Sequence, residues 1–182
     1  MPGDLVSGVC SNALNRTVKE FEITDPGKIL DKTRELVVET FERSETEVKD
    51  GMDISLCLLN KKTKQLEWAG ANNPLWIVRN SEIIVFKPNK QAIGKVDKPA
   101  LYETHKVKLE KDDNIYIFTD GYADQFGGPS GKKFKHQQLV ELMCSISTLP
   151  INEQQTKLEM EFESWRGNLE QVDDICVIGI KI

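Results

Sequence analysis

The sequence is poor in the residues from which soft-metal sites and disulfide scaffolds are built. Its 182 residues include only four cysteines and two histidines. Cys10, Cys57, Cys144 and Cys176 stand singly among apolar neighbours, without the close pairing of a zinc finger, so reduced core thiols are expected. His105 falls in a polar strand pattern and His136 opens a helix; neither has a partner at ligand spacing, and both read as surface histidines. No apolar run reaches transmembrane length, and "MPGDLVSG" lacks the basic start and apolar stretch of a signal peptide, so a cytoplasmic protein without membrane contact is expected. Excess positive charge is missing too. A net charge of -5 and a pI near 5.2 argue against nucleic acid or an anionic membrane as the main partner. What remains, with 29% charged and 39% hydrophobic residues, is ordinary globular composition at a length that suits one domain.

The stretch "CSNALNRT" reads as Cys10, five residues, Arg16 and Thr17, the spacing of the cysteine-dependent phosphatase signature. That signature wraps backbone N–H groups around a phosphate in a loop that needs glycine, and none lies between Cys10 and Arg16. Leu5, Val6, Val9, Cys10, Ala13, Leu14, Thr17, Val18 and Phe21 recur instead at the spacing of one helical face. Cys10 is therefore expected on a buried stripe, where apolar surroundings raise a thiol pKa and blunt its reactivity.

A first helix is expected from about Gly3 to Phe21, and a second after "TDPGK", with Asp25 as N-cap and Pro26 at the first helical position. Its buried face should carry Ile29, Leu30, Thr33, Leu36, Val37, Thr40 and Phe41, with "SETEVKDG" as a polar loop after it. From Met52 the pattern changes to short strands: "MDISLCLLN", "QLEWAGA", "PLWIVRN" and "EIIVFKP", with turns at Lys61–Lys64 and "RNSE". An irregular loop, "QAIGKVDKPALYE", precedes the strands "THKVKLE" and "DNIYIFTDG". Two helices around "KHQQLVELMCSIS" and "INEQQTKLEMEFESWRG" lead to a last strand in "DDICVIGIKI". The order implies one α+β layered domain.

Acidic residues flank two of these strands. Asp120 ends "NIYIFTDG", while Asp173 and Asp174 open "ICVIGIKI"; if the two strands are antiparallel neighbours, the carboxylates meet at one sheet edge. Hard oxygen ligands there suit Mg²⁺ or Mn²⁺. Gly121 lets the chain turn tightly beside them. Trp68 and Trp76 read as core aromatics, Tyr122 and Phe126 as anchors of the turn or walls of a substrate mouth, and "GGPSGKKF" as a loop exposing Lys132 and Lys133.

Taken in order, "GMDISLCLLN", "LEWAGANNPLWIVR", "IYIFTDGYADQFGG" and "LEQVDDICVIGIKI" resemble the catalytic domain of the SpoIIE/RsbU-type serine phosphatases, a bacterial branch of the PP2C metal-dependent phosphatases. The resemblance covers nearly the whole chain. It implies an α-β-β-α sandwich of two antiparallel sheets flanked by helices, with a two-ion Mn²⁺ or Mg²⁺ site at one edge. It also implies that Asp120 and Asp173 are metal ligands at the catalytic centre, that Asp174 and Gly121 belong to the same metal site, and that Asp53 of "GMDIS" is an auxiliary acid. The implied reaction is hydrolysis of phosphoserine or phosphothreonine on a signalling protein of anti-anti-sigma type, under an upstream sensory or receiver domain. No cysteine nucleophile is needed.

One family motif has no counterpart. The leading Asp-x-x-Gly-His-Gly segment would stand just before a Pro-Gly, and "MPGDLVSGVCSNALNR" begins at that Pro-Gly. The expectation is a domain lacking its N-terminal part and first strands. Asp120 and Asp173 would then hold at best one weak ion, leaving the chain itself weakly active or inactive. An uncovered sheet edge would invite self-association. A non-catalytic phosphatase-like module that binds a signalling partner is the alternative.

Overall fold

The computed structural model describes residues 3–43 and 51–182, so all of "SETEVKDG" except Gly51 lies outside the described residues. In chain order the elements are α1 (Gly3–Lys19), α2 (Pro26–Glu42), β1 (Ile54–Asn60), β2 (Gln65–Ala71), β3 (Leu75–Arg79), β4 (Glu82–Phe86), β5 (His105–Lys108), β6 (Asn114–Phe118), α3 (Gly121–Asp124), β7 (Phe126–Gly127), β8 (Lys132–Lys133), α4 (Lys135–Ile146), α5 (Ile151–Arg166) and β9 (Val177–Lys181). They gather into two compact units, Met1–Pro74 with Lys87–Lys108, and Leu75–Phe86 with Leu109–Ile182. Among the described residues no helix is long and apolar enough to cross a membrane.

The first unit holds α1, α2 and an antiparallel sheet of order β1-β2-β5. Along α1, Val6, Cys10, Ala13 and Thr17 are buried at alternating spacings of four and three, one helical face as expected. The stripe is narrower than the sequence suggests. Leu5, Val18 and Phe21 are exposed, because the first two flank that face and the helix ends at Lys19, before Phe21. Helix α2 starts as its cap residues dictate: the Asp25 carboxylate accepts the Lys28 N–H at 3.0 Å and Pro26 follows at the first turn. Ile29, Leu30, Thr33, Leu36, Val37 and Phe41 are buried. Thr40 is not; it stands exposed with its hydroxyl donating to the Leu36 carbonyl at 2.7 Å. The hairpin of β1 and β2 is in register from Ile54 opposite Ala71 to Asn60 opposite Gln65, turning through the lysine-rich segment. Trp68 is fully buried on β2, and His105, half-buried, lies beside it with ring centroids 5.3 Å apart.

In the second unit a four-stranded antiparallel sheet has the order β4-β3-β6-β9. Leu75, Trp76, Ile77 and Val78 are all buried on β3, as a near-continuous apolar run requires of a central strand. The β3–β4 hairpin closes on Asn80 and Ser81, with φ of 52° and 62°, the pair of positive angles that matches strand twist in a two-residue turn. Arg79 at its base reaches the fully buried Asp113 through Nε at 2.8 Å and Nη2 at 2.7 Å. Helices α4 and α5 contribute Leu139, Met143, Ile146, Leu158 and Phe162 to a core with Trp76, Tyr116, Phe118 and Tyr122. Two elements go beyond what the sequence pattern predicts: the single turn α3, and the β7–β8 ribbon that shapes "GGPSGKKF" into a hairpin.

Candidate active site

The expectation that matters most concerns β6 and β9. They pair antiparallel from Asn114 opposite Lys181 to Phe118 opposite Val177, so the outgoing end of one and the incoming end of the other lie at the same end of the sheet. Asp120 and the Asp173–Asp174 pair follow and precede those ends. Neither is the strand terminus expected. Strand β6 ends at Phe118, leaving Asp120 to cap α3, and β9 begins only at Val177, leaving Asp173 and Asp174 in an irregular segment ahead of it.

Backbone and hydroxyl contacts continue the pairing where the ladder stops. The Thr119 N–H donates to the Cys176 carbonyl at 3.0 Å. The Thr119 hydroxyl donates to the Asp174 carbonyl and accepts the Cys176 N–H, each at 3.0 Å. Gly121 then comes so close that a Cβ there would stand 2.5 Å from the Asp174 carbonyl oxygen, nearer than any side chain tolerates. Glycine is required by this approach and not by an unusual backbone angle.

The carboxylates themselves are exposed. Asp120 makes no side-chain bond to the start of α3, so its oxygens are not consumed by capping. Asp173 accepts the Asp174 N–H on Oδ1 at 2.7 Å, which leaves Oδ2 and the whole Asp174 carboxylate facing outward. Their chemistry fits a hard cation, and Mg²⁺ in particular binds through one or two carboxylates with water completing its shell. Among the described residues no group of three or more His, Cys, Asp or Glu side chains converges closely enough to hold an ion. Asp53 belongs to the first unit, exposed just ahead of β1, where its Oδ1 accepts the Asn72 amide at 2.7 Å.

The remaining candidates sort clearly. Cys10 is 1% exposed on α1, and burial pushes its thiol up, as the helical reading of "CSNALNRT" requires. Of the other cysteines Cys57 and Cys144 are half-buried, but Cys176 is exposed, because it precedes the edge strand β9 and is not a core thiol. Tyr122 is an anchor: it is buried, and its hydroxyl donates to the Leu158 carbonyl on α5 at 2.8 Å. Phe126 is 41% exposed, with the Lys133 ammonium over its ring and that ammonium bonded to Asp124 at 2.8 Å. His136 is on the surface. Thr119 and Gln125 join the site without having stood out in the sequence; their only signal there is adjacency to the acidic turn.

Comparison with known proteins bears on the whole chain. The family model described as stage II sporulation protein E (SpoIIE) matches residues 1–182. No curated protein is similar enough in sequence to count as a match. Among solved structures the chain is similar to the SiaA-PP2C domain of Pseudomonas aeruginosa, with 25% identity and a TM-score of 0.87, covering 100% of this chain and 71% of that one. It is similar to the PP2C phosphatase domain with a fragment of the regulatory domain of SpoIIE from Bacillus subtilis, with 16% identity, a TM-score of 0.72, and coverage of 98% and 50%. RsbX in complex with magnesium is a third, with 18% identity, a TM-score of 0.61, and coverage of 96% and 73%. The PP2C-like α+β fold of antiparallel sheets and helices, expected from the resemblance, is the fold of this chain. With its family model matched from end to end and that fold in common, the chain belongs to the stage II sporulation protein E (SpoIIE) family of phosphatase domains.

Proposed function

We propose that residues 1–182 act as one phosphatase domain, hydrolysing phosphoserine or phosphothreonine on a regulatory protein with Mn²⁺ or Mg²⁺ held by Asp120 and Asp173. The observation that carries this reading is the antiparallel pairing of β6 with β9, which brings the two acidic segments to one sheet end with Gly121 against the Asp174 backbone. Such ions, when bound, supply an activated water and neutralise charge on the phosphoryl oxygens. The chain's own part is to hold the ligands: Thr119 fixes the 174–176 backbone, Gly121 keeps the approach open, and Asp174 adds a neighbouring carboxylate that raises local negative charge. Asp53 serves as an auxiliary acid. The magnesium in RsbX supports the choice of metal, and the regulatory-domain fragment solved with SpoIIE supports control by an upstream sensory or receiver domain. The substrate is a phosphorylated partner of anti-anti-sigma type, and the protein works in the cytoplasm.

The 182 residues contain no Asp-x-x-Gly-His-Gly segment, the family's leading metal motif. By itself the chain therefore turns over weakly or not at all, since cation affinity follows the number and charge of the ligands. The same observation favours a second reading, a non-catalytic module that binds a signalling partner.

Hydrolysis of p-nitrophenyl phosphate decides between them, measured with and without Mn²⁺ on this chain and on the same chain joined to a family Asp-x-x-Gly-His-Gly segment. The expected result is Mn²⁺-dependent turnover by the joined chain, lost in Asp120→Ala and Asp173→Ala and retained in Cys10→Ser. Turnover that survives chelator and disappears in Cys10→Ser would overturn the metal reading. Inertness of both chains under every metal would leave the binding module.

A further inference from the structure

The side chain of Gln125 is fully buried, and a buried amide is costly to leave unpaired, so its partners define its task. Its Nε2 donates to the Glu170 carbonyl at 3.0 Å and to the Phe126 carbonyl at 2.9 Å. Its Oε1 accepts the Val172 N–H at 3.3 Å. The Gln125 backbone is held as firmly, its carbonyl accepting the Phe134 N–H at 2.9 Å and the Trp165 indole N–H at 3.1 Å. The side chain thus takes one donor and one acceptor from a stretch of irregular chain, much as a neighbouring strand would.

That stretch leads into Asp173 and stays irregular up to Val177. Gln125 itself directly follows α3, the single turn that Asp120 opens. One side chain therefore links the segment that begins at Asp120 to the segment that leads into Asp173. The acidic pair is then restrained from both sides: Gln125 grips Val172 before it, and Thr119 grips Asp174 and Cys176 after it. Without Gln125, the segment ahead of Asp173 keeps local bonds, such as the Gln171 amide donating to the Asp173 carbonyl at 2.7 Å, but loses its tie to the α3 side, since β9 pairing does not begin until Val177. Only a glutamine-like group can do both jobs at this reach. A glutamate loses the donor to Glu170, and an apolar side chain loses both bonds.

We infer that Gln125 is a positioning residue of the acidic centre, setting where the Asp173 carboxylate stands relative to Asp120 by clamping the backbone at Glu170 and Val172. The inference rests on the proposed reading that Asp120 and Asp173 are metal ligands. Partners that orient ligands typically change metal affinity by about 10–100-fold when removed.

Two measurements on the chain test it: hydrogen exchange resolved to single amides, and Mn²⁺ binding followed by the paramagnetic resonance signal of free Mn²⁺. In the unmodified protein the Val172 amide is expected to be protected, although it lies outside every strand. In Gln125→Met, and in the isosteric Gln125→Glu, amides 172–174 exchange faster while those of β6 keep their protection, and Mn²⁺ affinity falls roughly tenfold or more. Trp165→Phe, which removes a bond to the Gln125 backbone but leaves its side chain clamped, lowers the unfolding midpoint without moving Mn²⁺ affinity. An unprotected Val172 amide in the unmodified protein overturns the inference whether or not the variants fold. So does faster exchange at 172–174 with unchanged Mn²⁺ affinity. If neither the unmodified chain nor the chain joined to the Asp-x-x-Gly-His-Gly segment binds Mn²⁺, or if Asp120→Ala binds it undiminished, the ligand assignment fails instead, and the exchange data alone report whether Gln125 clamps the segment.

Discussion

Replacing Gly121 by alanine adds one carbon atom at the closest approach of the acidic centre, and two opposed effects decide the outcome. Gly121 opens α3 without a left-handed backbone angle, so helix propensity alone favours alanine by up to about 1 kcal/mol. Against this stands the new Cβ, 2.5 Å from the Asp174 carbonyl oxygen, 3.1 Å from its carbon and 3.2 Å from Ile175 Cγ1. Ordinary contact begins at 3.4 Å, so the carbonyl must retreat by about 0.9 Å, and it is backbone, with no rotamer to give. That retreat pulls its oxygen away from the Thr119 hydroxyl, now 3.0 Å away, at a cost of about 1 kcal/mol, and overpacking adds about 1–3 kcal/mol. The expected net is destabilisation by about 1–3 kcal/mol in urea titration followed by tryptophan fluorescence. Mn²⁺ affinity should fall as well, by about 10–100-fold, the range seen when groups that orient metal ligands are disturbed. Gly8→Ala calibrates the assay: Gly8 is exposed in α1, and a Cβ added there would have nothing within 4 Å, so that change should stabilise by about 0.5–1 kcal/mol. A Gly121→Ala protein as stable as its parent, with unaltered Mn²⁺ binding, would refute the close approach on which the site geometry depends.

Asp113→Ala should cost about 2–3 kcal/mol in the same titration, because it removes the buried acceptor of the Arg79 Nε and Nη2 and of the Glu110 N–H while Glu110 still pairs with the guanidinium; Glu110→Ala, taking away the 61% exposed partner of the same arginine, should cost under about 1 kcal/mol. Asp25→Ala should lose about 1 kcal/mol at neutral pH through the lost cap of α2. Burial pushes the Asp25 carboxyl up, but the Lys28 N–H, the Thr104 hydroxyl and the nearby lysines outweigh it and hold the group below its ordinary value. A carboxyl depressed in the folded state contributes stability that is full above its unfolded pKa, about 3.9, and disappears as pH falls through the lower folded value. The gap between Asp25→Ala and its parent should therefore be constant from pH 7 to 5 and narrow below about pH 4; urea midpoints across that range check it.

Much of the architecture is legible in the sequence because it is written in local patterns. The segment "QLEWAGA" is β2 from end to end, since alternation and flanking punctuation both bound it. Asp25 and Pro26 mark the start of α2 for the same reason. The antiparallel meeting of β6 and β9 is only a condition at the level of sequence, because nothing in either strand says which neighbour it will choose. Helix α3 and the β7–β8 ribbon are hidden because "TDGYADQFGG" is dense in Asp and Gly, which read locally as a turn, whereas the order there comes from distant partners: Leu158 for Tyr122, Trp165 and Glu170 for Gln125. Periodicity overstates the width of the α1 stripe because it marks which residues could face a core, and burial depends on where the covering surface stops. Cys176 shows the same limit, apolar by context yet exposed ahead of an edge strand.

The meeting of β6 with β9 also has a kinetic side. Between them the chain makes α3, the β7–β8 ribbon, α4 and α5, and all of it becomes a closed loop when Phe118 finds Val177. Loop closure must precede the reward of the contacts it permits, so pairs of this kind form late relative to helices and hairpins. The seal is completed by reciprocal backbone bonds of Ile182, whose carbonyl accepts from Asp112 and whose amide donates to Asp113, each at 3.0 Å. A molecule caught before that step would carry its helices and the β3–β4 hairpin yet have its acidic residues far apart in the chain and unmatched. Metal binding at this centre would then serve as a clock for the last stage of folding.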